Sequence, residues 1–174
     1  MKSDIIQIDN RGNGFELALT ETEKAAQYRE LGHKEALHLR LCAEEMLSLA
    51  RSVTGELQAA FWLESEGKSF DLHLSTQTVM DREKRNNLIA SASSRKNEAA
   101  KTFLGKLRDA FETAMASEPD LSIPEEAMDD LANHPIEIPE WDEYEQSILR
   151  KVADQVRIGI RGRTVEMTVT KQFH

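Results

Sequence analysis

The last hairpin of the chain constrains its fold most. Val156, Ile158 and Ile160 alternate with Arg157, Gly159 and Arg161, and after a turn at Arg161-Gly162-Arg163, Val165, Met167 and Val169 alternate with Glu166, Thr168 and Thr170. A period of two sends every apolar side chain to one face of a pleated strand. Strands of this kind belong to an antiparallel sheet with one face covered and the other wet. The pattern recurs upstream, where Leu57, Ala59, Phe61 and Leu63 lead into a Glu66-Gly67-Lys68 turn and then Phe70, Leu72 and Leu74 alternate with Asp71, His73 and Ser75. At the start, Ile6 and Ile8 and then Phe15, Leu17 and Leu19 flank Arg11-Gly12-Asn13-Gly14, which predicts an opening hairpin.

Helical periodicity fills the spaces between these hairpins. Thr20-Glu21-Thr22-Glu23 has capping-box spacing, so a short helix is expected from Thr20 to about Leu31, with Gly32 as its stop. A longer helix, near Lys34 to Val53, places Leu39, Cys42, Ala43, Met46, Leu47, Leu49, Ala50 and Val53 on one broad face. Arg40, Glu44 and Arg51 fall opposite that face and Glu45 on its edge, so the adjacent glutamates are not equivalent. Two later stripes, Ala100, Phe103, Leu104, Leu107, Phe111, Ala114, Met115 and Tyr144, Ile148, Leu149, Val152, Val156, predict helices over the covered face. Between them, Ser117 to Glu140 holds all four prolines and reads as a loop with one helical turn around Glu125 to Leu131. The expected class is α+β, a two-layer sandwich with a mixed, mostly antiparallel sheet of about six strands and helices on one face.

With 174 residues, 40% of them hydrophobic, the chain can bury one sizeable core, and a single domain over 1–174 is expected, with an insertion at about 81–141. The 22 basic and 31 acidic residues leave a net charge of −9, which repels phosphate backbones and anionic lipid and argues against a nucleic-acid or membrane partner. Cys42 is the one cysteine, so neither an internal disulfide nor a cysteine-based zinc site can form. No apolar run approaches the roughly 20 residues of a membrane span. The expected location is the cytoplasm, although a trimmed export precursor would read the same.

The long helix contains Leu41-Cys42-Ala43-Glu44-Glu45-Met46-Leu47-Ser48-Leu49, and the chain closes with a helix from Glu145 to Val156 and a hairpin ending Thr168-Val169-Thr170-Lys171-Gln172-Phe173. In these segments and in the order of its elements the chain resembles the histidine-kinase-like (GHKL) ATPase fold, and in particular the small anti-sigma-factor serine kinases. The resemblance covers most of the chain outside about 81–141. It implies bacterial-type signalling, ATP and magnesium as ligands, Glu45 as general base, and a magnesium-binding asparagine one turn later. That turn holds Leu49, and a leucine cannot ligate a hard cation. The adenine-binding Asp-x-Gly-x-Gly loop implied after the second strand is replaced by Leu74-Ser75-Thr76-Gln77-Thr78-Val79-Met80-Asp81, and the glycine-rich phosphate lid is missing, with Gly105 alone in its stripe.

Three readings follow. The favoured one is a non-catalytic regulatory or scaffolding protein of this fold, without cofactor or metal, acting through a protein partner, with self-association through an edge strand as a further expectation. The second is an ATP-dependent protein serine kinase with Glu45 as base, ATP and magnesium held by unfamiliar positions. The third is an unrelated structural domain, which parallel neighbours throughout the sheet would favour. Residue by residue, the plainer reading leads. Glu45 shows a carboxylate without its accompanying machinery. The scattered His33, His38, His73, His134 and His174 lack metal-ligand spacing. The basic group Arg82, Lys84, Arg85, Arg95, Lys96 reads as a solvated loop before a phosphate site, and the stretch 109–149, free of lysine and arginine until Arg150, as a solvated acidic connection. Trp62 and Trp141 read as packing residues before interface anchors.

Overall fold

The computed structural model describes residues 1–9, 11–54, 58–99 and 143–174. The elements run β1 (Ile6–Ile8), α1 (Phe15–Tyr28), α2 (His33–Thr54), β2 (Ala59–Glu66), β3 (Ser69–Gln77), α3 (Arg82–Ser91), α4 (Glu143–Val152), β4 (Gln155–Arg161) and β5 (Thr164–Gln172). The helix expected at 100–115, the prolyl connection 117–140, Leu57, His134 and Trp141 lie outside the described residues.

The strands form one five-stranded sheet in the order β1-β2-β3-β5-β4, with every pairing antiparallel. This is the two-layer α+β architecture read from the sequence, corrected from about six strands to five and from a mixed sheet to an antiparallel one. The lost strand is Phe15 to Leu19, which forms the first turns of α1. Phe15, Ala18, Leu19, Thr22, Ala25 and Ala26 also satisfy a helical recurrence, and in α1 Ala18, Leu19, Thr22, Ala25 and Ala26 are buried while Leu17 is exposed.

The geometry between β1 and α1 explains the early helix start. Asp9 accepts hydrogen bonds from the amides of Arg11 (2.9 Å) and Asn13 (3.1 Å) and from the Asn13 side chain (2.8 Å), closing a tight turn. Those bonds, the Asn13 side chain foremost, hold the Asp9 carboxyl below its ordinary pKa. Gly14 then caps α1 at φ +82°, where an added Cβ would stand 2.1 Å from the Gln7 carbonyl oxygen. Thr20 is therefore inside the helix, its hydroxyl donating to the Glu16 carbonyl, and caps nothing.

The expected stop at Gly32 is also displaced. Glu30 takes the left-handed conformation at φ +54°, and the amides of Glu30 and Leu31 turn back to the carbonyls of Gln27 and Ala26, both at 3.0 Å. Gly32 instead opens α2: its amide donates to the Glu35 side chain at 2.7 Å and its carbonyl accepts from Ala36.

One core lies between sheet and helices. Phe61 and Leu63 of β2, Phe70, Leu72 and Leu74 of β3, Ile158 of β4 and Met167 and Val169 of β5 meet Leu39, Cys42, Ala43, Met46 and Leu47 of α2. Fully burying each large side chain contributes about 1.5–3 kcal/mol, and α2 supplies Leu39, Met46 and Leu47 to this core while β3 supplies Phe70, Leu72 and Leu74. Leu149 joins this core from α4, but Ile148 is 41% exposed, a correction to its place on the apolar stripe. The two-residue hairpin turns stand where the glycines indicated, with Gly67 at φ +55° and Gly162 at φ +59°.

Candidate functional site

α2 carries the residue for which catalysis was considered. Glu45 is half-buried on the flank of the helix, one turn before Leu49. Its neighbour Glu44 faces outward and accepts from Arg40 at 3.1 Å, while Arg40 also pairs with Glu23 of α1. The glutamates thus differ as the helical wheel requires. Leu49 is half-buried and packs against the apolar core.

Beside α2 stands α3, which also touches α4 and β4. It places Leu88 and Ile89 in the core, followed by Ala92. Here the structure corrects the solvated-loop reading of the basic group: Arg82, Lys84 and Arg85 belong to a helix, and Arg85 is only 3% exposed. Asp81 starts that helix, its carboxylate accepting from the Lys84 amide at 2.8 Å. Upstream, the buried Thr76 hydroxyl donates to the Gln58 carbonyl at 2.7 Å and the Thr78 amide to that of Arg163 at 2.9 Å. The stretch from Leu74 to Asp81 is thus spent on strand, turn and helix cap.

Two titratable groups, Cys42 of α2 and Asp154 just before β4, depart from their ordinary pKa values. Burial pushes the Cys42 thiol up to about 12, so it stays protonated and inert at neutral pH. At the sheet end, burial works against ionising Asp154, but the Gln172 amide (2.6 Å) and the Lys171 ammonium (2.9 Å) outweigh it and hold its pKa down. Phe173 follows, edge-on to Phe70 and to His38, which pins the end of β5 against α2.

The second face of the sheet is polar but not fully wet. His73 stacks on Trp62 with ring centroids 5.0 Å apart and planes 10° from parallel, and its Nδ1 lies 3.2 Å from the Thr168 hydroxyl. Its Nε2 is shut off from solvent and has no hydrogen-bond partner among the described residues. Burial therefore lowers the pKa of His73, and the attraction of Glu64 and Asp71 offsets only part of this. Trp62 is thus a sheet-face packing residue, with the Lys2 ammonium 5.9 Å from its ring centroid. Among the described residues no group of three or more His, Cys, Asp or Glu side chains could hold a metal ion.

The least expected feature is a strap from Ser93 to Glu98 lying along the outer edge of β4. The Ser93 amide donates to the Val156 carbonyl (2.8 Å) and its hydroxyl accepts from the Val156 amide (2.7 Å). Asn97, buried, grips Ile160 with both ends of its carboxamide: Nδ2 donates to the carbonyl at 2.9 Å and Oδ1 accepts from the amide at 2.8 Å. Between them the Glu98 amide donates to the Ile158 carbonyl at 2.9 Å. Asn97 thereby reproduces with a side chain the paired bonds a sixth strand would make. Arg95 and Lys96 arch outward, exposed, with Arg95 at φ +52°.

No protein-family model matches this sequence, and no curated protein matches it. Among the described residues, no helix is long and apolar enough to cross a membrane.

Proposed function

We propose that this chain is a non-catalytic regulatory or scaffolding domain, similar in architecture to the histidine-kinase-like ATPases, that works through contacts with a partner protein. The observation that carries the reading is Leu49. One turn after Glu45, where the resemblance calls for an oxygen ligand to magnesium, stands a half-buried hydrocarbon side chain packed against the core. Magnesium holds its near-octahedral oxygen shell tightly and gains nothing from such a neighbour.

Other features support the same reading. The order strand, helix, long helix, hairpin, then α3 within the insertion, helix and hairpin agrees with the resemblance apart from the opening hairpin, and among the described residues no parallel neighbours favour the unrelated domain. Asp81 is engaged as a helix cap, and α3 brings Leu88 and Ile89 into the core beside α2. Glu45 then serves as a half-buried helix residue without a triphosphate to act on.

Calorimetric titration with magnesium and ATP tests the proposal. The expected result is no binding tighter than about 1 mM, which corresponds to roughly 4 kcal/mol. Tighter binding that weakens in Glu45→Gln would establish instead the ATP-dependent protein kinase reading, with Glu45 as its base.

A further inference from the structure

We propose that the outer edge of β4 is a guarded strand-addition site whose occupant is an extended, acidic segment of a partner protein. This rests on the protein-contact reading above and names the surface that would make the contact.

The sheet has two edge strands, β1 and β4. β1 has three residues and β4 seven, with unbroken alternation, so β4 offers the longer template for another strand. Along its outward side, Ser93 answers the amide and carbonyl of Val156, Glu98 the carbonyl of Ile158, and Asn97 the amide and carbonyl of Ile160. The answer is of an unusual kind. Two of the bonds come from one side-chain amide, and the segment that holds it passes through a left-handed arginine, Arg95 at φ +52°, a conformation unfavourable for a residue with a Cβ. A backbone strand could make the same bonds without that strain. The strap is therefore a competitor that an incoming strand can displace, with side-chain bonds exchanged for ladder bonds.

Charge selects the occupant. On a chain of net charge −9, this edge exposes Arg95 and Lys96 on the strap, Arg157 and Arg161 on β4 and Arg163 in the following turn. Among the described residues, Glu98, bound by Ser94, and Glu166, paired with Gly159 across β4 and β5, bring acidic side chains to this edge. A second copy of β4 added antiparallel about Gly159 would set Arg157 against Arg161, and like charges directly opposite one another destabilise a sheet. A segment alternating acidic and apolar residues does the reverse: its carboxylates meet Arg157 and Arg161, and its apolar side chains continue the row of Val156, Ile158 and Ile160. Addition of an extended peptide to a sheet edge is an established recognition mode, in which the main chain supplies affinity and alternate side chains supply specificity.

The test uses the full chain and the peptide Glu-Val-Glu-Val-Glu-Val-Glu, blocked at both ends, against the same peptide with lysine for glutamate. Asn97→Ala removes the guard and should raise affinity for the acidic peptide at least tenfold over the unaltered chain; Ser93→Ala replaces it should that variant not fold. Adding Arg157→Glu and Arg161→Glu, both at exposed positions, should remove at least tenfold again. In the unaltered chain, peptide binding should speed hydrogen exchange at the Glu98 amide, whose acceptor is taken, and keep Val156 and Ile160 protected. Equal binding of the two peptides, no binding to either weakened variant at millimolar peptide, or self-association of Asn97→Ala in place of peptide capture would each overturn the proposal. So would inorganic polyphosphate binding this edge while the peptide does not. None of these results alters the ATP titration, so the two proposals fail separately.

Discussion

Gly12 and Gly14 offer a controlled experiment on why α1 begins where it does. The two residues have nearly the same backbone, at φ +84° and +82°, but not the same surroundings. A Cβ at Gly12 would meet nothing within 4 Å, whereas at Gly14 it would lie 2.1 Å from the Gln7 carbonyl oxygen and 3.2 Å from the Ile8 Cα. Gly12→Ala therefore incurs only the left-handed conformational cost, about 1–2 kcal/mol. Gly14→Ala incurs the same cost and must also push apart β1 and the start of α1, because the obstructing atoms are backbone. A further 1–3 kcal/mol or so is typical of overpacking a site that cannot relax. Urea denaturation of the two variants, followed by circular dichroism, measures the difference directly, with the midpoint of Gly14→Ala well below that of Gly12→Ala at unchanged slope. Equal midpoints would refute the claim that contact between Gly14 and β1 forces the helix to start there.

Three further outcomes are expected. Cys42 should resist alkylation in the native protein at pH 8 and react at once in denaturant, since its thiol titrates near 12 in the fold; fast native labelling would contradict its burial. His73 should titrate below the free value of about 6.5 in imidazole-detected NMR, because burial lowers its pKa. The unfolded chain then takes up its proton first, so stability falls as pH drops through about 6.5 and levels out below the depressed native value; His73→Phe should flatten that slope. For Asp154 the lowered native pKa means a contribution present above the unfolded value of about 3.9 and lost as pH falls beneath it through the native one, and Asp154→Asn should remove that part of the acid sensitivity.

How legible the fold was depends on what kind of force sets each element. β2 with β3, β4 with β5, and α2 each bury a regular periodic face, and such faces are written directly in the residue order. Phe15, Leu17 and Leu19 fit a period of two as well as a helix; the choice between them was made by Gly14, whose tight approach to Gln7 is a tertiary fact. α3 is mostly charged and amidic, with Leu88 and Ile89 as its main core residues, so periodicity passed it by. The signal that could have found it was Asp81 as N-cap with Glu83 in the first turn. The strap carried no signal at all, because Asn97 acquires its role only when β4, 63 residues away, is laid beside it. Glu45 was placed well enough on its helix edge, yet what it does depends on neighbours that helical periodicity does not specify.

On the proposed function, the turn after Glu45 hosts no nucleotide. Backbone amide NMR during titration with magnesium and ATP reads this at each residue. The amides from Ser48 to Ala50 and from Thr76 to Asp81 should keep their positions. Saturable shifts at both stretches, half complete below about 1 mM, would contradict the proposed function.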